Sequence, residues 1–132
     1  NMRVDADKDA IQRVITNLFD NAIKFTPEGG FIDVNTGVKD GSAYVSIQNS
    51  GLGIEKKDLM HIFDRFYKSD KSRSLDKNGA GLGLYIVKSI IQAHGERVWA
   101  ESEPGEFTRF SFTLARANEK KKNVDKKLIE EV

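Results

Sequence analysis

The sequence predicts an α+β fold: a two-layer α/β sandwich, with a mixed, mostly antiparallel sheet covered on one face by three helices. Three observations predict it. An amphipathic helical pattern opens the chain, two alternating apolar runs flank an Asp-Gly pair, and a second helical pattern precedes a closing strand pair. Elements in the order helix, hairpin, short helix, polar loop, helix, strand pair bury their apolar sides best in two layers.

Asp7 is a suitable N-cap for a helix running to about Phe25. Ile11, Val14, Ile15, Leu18, Phe19, Ala22 and Phe25 recur at helical spacing, so one face is core. Thr26-Pro27-Glu28-Gly29-Gly30 ends it. Ile32, Val34, Thr36 and Val38 alternate, as do Val45 and Ile47 against Tyr44, Ser46 and Gln48. Asp40-Gly41 between the two runs predicts an antiparallel hairpin. Asn49 to Gly53 then opens a short helix from about Lys56 to Phe63. Residues 68–81 have another character, with Leu75 the one apolar side chain between Lys68 and Gly79. Such a segment buries too little to order itself and reads as a lid. A third helix follows from about Leu82 to His94, with Leu84, Val87, Ile90 and Ile91 inward and Gly95 as its stop. Strands over about Arg97–Glu101 and Thr108–Ala115 close the domain. Residues 1–116 form this domain, and the Lys/Glu-rich residues 117–132 are a charged tail, helical or disordered.

Composition narrows the function. The chain has 132 residues, which is one ordinary domain with a single core. Twenty-one Lys and Arg against 20 Asp and Glu leave a net charge of +1, without the basic excess of a nucleic-acid binder. The absence of Cys excludes disulfide scaffolds, zinc fingers and cysteine catalysis, and two His make a His-rich metal site improbable. No apolar run approaches the roughly 18–20 residues of a membrane span, so no direct membrane contact is expected. The chain reads as cytoplasmic, or as a cytoplasmic piece of something larger.

Two features carry chemistry. Asn17, Asp20, Asn21 and Lys24 share the face of the first helix opposite its apolar stripe. Asn is a mediocre helix former, and two in mid-helix ask for a reason. One reading is a solvated polar face. The other is a ligand surface, where amide and carboxylate oxygens one turn apart share a hard cation and Lys24 reaches an attached phosphate. Gly79-Ala80-Gly81-Leu82-Gly83-Leu84 ends the polar loop and opens a helix. It is either a flexible hinge or a phosphate seat, where glycines admit the ligand and the helix N-terminus faces it. It is not a Walker loop, since no Gly-Lys-Ser/Thr follows, and no βαβ unit marks a dinucleotide fold. Asn49-Ser50-Gly51-Leu52-Gly53-Ile54 taken alone is explained by a strand-to-helix turn.

The joint pattern is more specific than its parts. Asn17-Leu18-Phe19-Asp20-Asn21-Ala22-Ile23-Lys24-Phe25-Thr26 resembles the N box of sensor histidine kinases. Asn49–Ile54 is similar to their G1 box, Ile62-Phe63-Asp64-Arg65-Phe66-Tyr67 to the F box, and Gly79–Leu84 to the G2 box, in the same order and spacing. The resemblance extends to about Ala115 and implies the Bergerat-type ATP-binding fold, with ATP and Mg²⁺ as ligands. It implies that Asn21 coordinates Mg²⁺, with Asn17 in or near the same shell, that Lys24 holds a phosphate oxygen, and that Phe25, Ile54 and Tyr67 line the nucleotide cleft. It implies too that Asn49 faces the adenine amine, that Gly51 and Gly53 shape the floor under the base, and that Thr108 helps at the adenine end. By the same resemblance, Arg65 or Lys68 would contact the γ-phosphate, and Gly79, Gly81, Leu82, Gly83 and Leu84 would form the phosphate loop with its backbone N–H groups.

Three residues depart from the family pattern. Asn49 stands where an Asp is usual. A charged hydrogen bond is worth about 1.5–3 kcal/mol and a neutral one about 0.5–1.5 kcal/mol, so adenine-over-guanine discrimination is expected to weaken. Glu96 and Phe107 replace glycines in turns remote from the phosphates. At position 17 the related ATPases carry a glutamate that activates water. The amide of Asn17 cannot take that proton, which favours transfer to a separate acceptor over hydrolysis.

The implied acceptor is a histidine on a dimerisation and histidine-phosphotransfer domain, with a response regulator downstream. Neither His61-Ile62 nor His94-Gly95 matches the acceptor motif, so the isolated chain is expected to be a monomer that binds Mg-ATP without phosphorylating itself. Exposed apolar residues around Leu59 and Phe63 are candidates for docking the dimerisation helices. Trp99 is expected to pack in the sheet. The parent would be cytoplasmic, or a membrane-bound sensor with this domain in its cytoplasmic part. Two alternatives stand beside this reading: an ATP hydrolase of the wider superfamily, and a degenerate nucleotide-binding regulatory module.

Overall fold

The structure is a computed structural model that describes residues 2–70 and 81–117. Most of the expected lid, with Leu75 and Gly79, and the charged tail from Asn118 lie outside the described residues.

Helix α1, Lys8–Phe25, begins where the Asp7 carboxylate accepts the Ala10 N–H at 2.9 Å, capping an orphan donor of the first turn. Its Ile11, Val14, Leu18 and Ala22 are buried, as the spacing predicts. Strands β2, Ile32–Lys39, and β3, Ser42–Ser50, form a hairpin whose two-residue turn has φ of 54° at Asp40 and 82° at Gly41. Positive φ at both turn positions matches the right-handed twist of the strands. Strand β5, Phe107–Arg116, pairs along β3 with Ile47 opposite Phe110 and Asn49 opposite Thr108. Its other edge is shared: β4, Val98–Glu103, takes the first half, and the two-residue β1, Val4–Asp5, takes the end. All four pairings are antiparallel, so the sheet expected as mixed, mostly antiparallel, is antiparallel throughout the described residues.

The core lies between this sheet and the helices. Phe110, Phe112 and Leu114 of β5 and Ala43 and Ile47 of β3 meet Val14 and Leu18 of α1 and Val87 and Ile91 of α3, Gly83–Ala93. The C-terminus of α3 closes with Gly95 at φ 72°, its N–H on the Gln92 carbonyl at 2.9 Å and the Glu96 N–H on Ile91 at 3.1 Å. These bonds satisfy carbonyls that the helix end would leave bare. His94 joins the two long helices. Its Nε2 accepts the Asp7 N–H at 3.0 Å and its Nδ1 donates to the Ile90 carbonyl at 2.8 Å.

Helix α2 is shorter than expected, one turn over Lys56–Leu59 rather than a run to Phe63. Beyond it the chain folds through successive turns that bury Ile62 and set Phe63 edge-on to Phe110, centroids 6.0 Å apart. Phe66 then adopts φ 66° as its N–H reaches the Gly81 carbonyl at 3.1 Å. Leu59 and Phe63 are themselves partly buried against the core, and the exposed apolar side chains around them are Met60 and Phe66. Trp99 lies on the uncovered face of the sheet, 36% exposed, with the Arg97 guanidinium 5.7 Å from its ring. Glu96, in a family glycine position, accepts the Thr113 hydroxyl at 2.5 Å. No helix among the described residues is long and apolar enough to cross a membrane.

Candidate functional site

A cleft opens at the end of the sheet where β3 and β5 bring Asn49 and Thr108 side by side. It is an open hollow of about 670 Å³ counted together with the solvent at its mouth. Asn49 and Thr108 are 3% and 7% exposed and form its inner, polar end. Ile54, Ile62, Leu84 and Phe110 supply apolar walls. Asn21 and Phe25 approach from α1, and Tyr67, Lys68 and Ser69 from the segment after α2.

Nine of the residues singled out in the sequence therefore line one cavity: Asn21, Phe25, Asn49, Gly53, Ile54, Tyr67, Lys68, Leu84 and Thr108. Asn17 stands beside it, with its Nδ2 donating to the Gly83 carbonyl at 3.4 Å. Lys24 lies one turn beyond Asn21 on the same helix face. Gly81, Leu82 and Gly83 lead into α3, whose N-cap residue Leu82 offers no side-chain acceptor to the first N–H groups. A side chain at Gly81, φ 72°, would press a Cβ to 2.8 Å from the Phe66 carbonyl carbon. Gly79 lies outside the described residues. Of the two cations offered for one role, Lys68 lines the cleft. Arg65 is outside its wall, with its guanidinium 5.1 Å from the Phe66 ring and 5.7 Å from that of Tyr85.

The turn containing Gly51 and Gly53 is fastened to the β4–β5 connection. The Gly51 N–H donates to Glu106 O at 3.2 Å, Gly105 N–H to Leu52 O at 2.7 Å, and Ile54 N–H to the Ser102 hydroxyl at 2.7 Å. Gly53, at φ 71°, has no room for a side chain, since a Cβ there would lie 2.6 Å from the Glu103 carbonyl. The sequence reading missed Leu52, Ile62, Ser69 and Phe110 as lining residues. Ile62 and Phe110 have the pattern of ordinary core positions, and only the tertiary fold reveals that the core's edge is also the cleft wall.

The arrangement fits a flat, partly apolar group with a polar edge at the inner end and an anionic group at the outer end. Amide oxygens are hard donors of the kind Mg²⁺ takes together with water and phosphate oxygens. No group of three or more His, Asp or Glu suited to a metal occurs among the described residues.

Residues 6–118 match the family described as histidine kinase-, DNA gyrase B-, and HSP90-like ATPase. The chain is 41% identical over 124 residues to the sensor histidine kinase WalK of Bacillus subtilis (strain 168), covering 92% of this chain and 20% of that protein. Among solved structures, the mycobacterial sensor histidine kinase MprB superposes with a TM-score of 0.75 at 29% identity, over 88% of this chain and 80% of that one. Full-length ShkA, solved in complex with AMPPNP, gives 0.74 at 29% identity over 87% of this chain and 23% of that one. The chain spans about a fifth of the length of WalK.

Proposed function

Because the chain belongs to the histidine kinase-, DNA gyrase B-, and HSP90-like ATPase family, as the ATP-binding catalytic domain of a sensor histidine kinase, we propose how its cleft works. The cleft holds Mg²⁺-ATP and presents the γ-phosphate to a histidine on a separate dimerisation domain. The observation that carries this is the convergence on one cavity of Asn21 and Lys68 at its outer end and Asn49 and Thr108 at its inner end.

Adenine lies between Ile54 and the neighbouring apolar walls, with Asn49 and Thr108 at its polar edge and Gly51 and Gly53 beneath it. Phe25 and Tyr67 flank the nucleotide. Asn21 would hold the metal through its amide oxygen. Asn17, whose nitrogen donates to the Gly83 carbonyl, would have its amide oxygen available to the same cation. Lys24 and Lys68 neutralise phosphate oxygens, and the uncapped N–H groups around Gly81, Leu82, Gly83 and Leu84 receive others at the positive end of α3. Lys68, rather than Arg65, is the cation for the γ-phosphate. Bound Mg²⁺ supplies charge neutralisation on the phosphates. Phosphoryl transfer asks the protein chiefly for positioning and charge stabilisation, which these residues provide. Asn17 cannot deprotonate water, so transfer to a partner histidine prevails over hydrolysis.

The partners are then the dimerisation and histidine-phosphotransfer domain of the parent and, through it, a response regulator. A domain that consumes ATP in this way works in the cytoplasm, here as a monomer. The test is transfer in trans. With ATP and Mg²⁺, the chain should place acid-labile phosphate on its dimerisation domain. Steady release of inorganic phosphate without such labelling would instead support a hydrolase.

A further inference from the structure

The inner end of the cleft has a hydrogen-bond polarity set by a residue outside it. Ser102 is on β4, opposite Thr108 in the sheet register. Its hydroxyl has one hydrogen, and that hydrogen is committed to the Phe107 carbonyl at 2.6 Å. The Ser102 oxygen is thereby left to accept. It takes the Ile54 N–H at 2.7 Å, and with the Ser102 hydrogen committed, Thr108 is the partner able to donate across their 3.3 Å contact. With its hydrogen directed to Ser102, Thr108 presents oxygen lone pairs to a ligand. Asn49 is oriented in the same sense. Its Nδ2 donates to the Ser50 carbonyl at 3.1 Å, and the flipped amide would set two oxygens against each other at that distance.

We infer that Ser102 is a specificity-determining positioning residue, which fixes Thr108 as an acceptor so that the cleft selects a purine bearing an amine, and rejects one bearing a carbonyl, at the 6-position. This rests on the reading of the cleft as an ATP site. A 6-amino group donates to acceptors at this end of the cleft, whereas a 6-oxo group meets them oxygen to oxygen. The neutral Asn49 gives up charge assistance, and the relay from Thr108 through Ser102 to Phe107 restores discrimination by polarity. Ser102 does this without lining the cleft, and through the same oxygen it holds Ile54, which does.

ATP and ITP carry the same triphosphate and differ only in the 6-substituent and the protonation of the adjacent ring nitrogen, so the ratio of their dissociation constants reads the hydrogen-bond polarity of this end of the cleft. The native protein should bind ATP at least about tenfold more tightly than ITP, the span expected when a hydrogen bond is exchanged for two opposed acceptors. Ser102→Ala frees the Thr108 hydroxyl to turn and donate, and the ratio should fall by about five- to tenfold, while Ser102→Thr should retain it. A purely structural role for Ser102 would weaken both nucleotides alike and leave the ratio unchanged, which would overturn the inference. Thr108→Val gives a second route that keeps the Ser102–Ile54 bond, and it too should lower the ratio. An undiminished ratio in Thr108→Val would equally overturn it. Failure of the native protein to bind ATP at all would instead refute the reading of the site.

Discussion

The Asn17 side chain donates its Nδ2 hydrogen to the Gly83 carbonyl across 3.4 Å, tying the middle of α1 to the first turn of α3. The bond is long and partly solvated, so its net stabilising effect is about 0.5 kcal/mol. Its consequence is positional. Asn17→Ala should therefore leave the melting temperature nearly unchanged while lowering phosphotransfer in trans by tenfold or more. A parallel loss of stability and transfer would show that Asn17 is only a structural tie.

Gly53 has φ 71° and faces the Glu103 carbonyl at a distance that forbids a Cβ. Gly53→Ala combines left-handed strain with a clash, and the cost is about 1–3 kcal/mol. Melting should fall by roughly 4 °C or more, and nucleotide affinity should fall with it because the turn carries Ile54. Gly95→Ala makes the comparison, since φ there is 72° but nothing lies within 4 Å of the added Cβ. It should cost less and spare nucleotide affinity.

The two histidines predict what the chain cannot do. Both ring nitrogens of His94 are engaged, by the Asp7 N–H and the Ile90 carbonyl. His61 is exposed, with its Nδ1 2.9 Å from Asp64 Oδ2. The isolated chain incubated with Mg-ATP should carry no acid-labile phosphate, read by mass spectrometry under alkaline conditions. Stoichiometric labelling of His61 would contradict this.

On the open face of the sheet, the hydrogen bond from Arg109 holds the Glu101 carboxyl below its ordinary range against the opposing effect of partial burial, with the Trp99 N–H and then the charges of Arg109 and Lys39 assisting. A carboxylate with a depressed folded-state pKa stabilises the fold above its unfolded-state pKa and loses that contribution as pH falls through the folded value. The pair is largely solvated, 2.9 Å apart, and its effect is small. Glu101→Gln should lower the melting temperature by a degree or so at pH 7 in low salt. The difference should vanish as the pH drops below the usual carboxylate range, and a difference that persists in acid would point to packing instead.

Most of the fold was legible because its signals are local. Asp7 caps α1, Asp40-Gly41 turns the hairpin and Gly95 stops α3, each at the position expected from side-chain chemistry alone. The two-residue β1 was not legible, since it is too short to alternate and exists only because the end of β5 has a free edge. Helix α2 fell short because Ile62 and Phe63, though spaced for a helix, are drawn into the core from successive turns. The polar face of α1 and the two glycine turns marked the cleft, but its apolar walls did not. Ile62 and Phe110 have the same pattern as any buried residue. The role of Ser102 is still further from view, because it depends on which way one hydroxyl hydrogen points.

Calorimetric titration of the chain with ATP, with and without Mg²⁺, in native protein and in Asn21→Ala tests the central claim most directly. The account predicts one site per chain, tighter binding with Mg²⁺ in the native protein, and loss of that magnesium-dependent gain in Asn21→Ala while metal-free binding persists. Absence of any heat on titrating the native protein, or an undiminished magnesium effect in the variant, would contradict it.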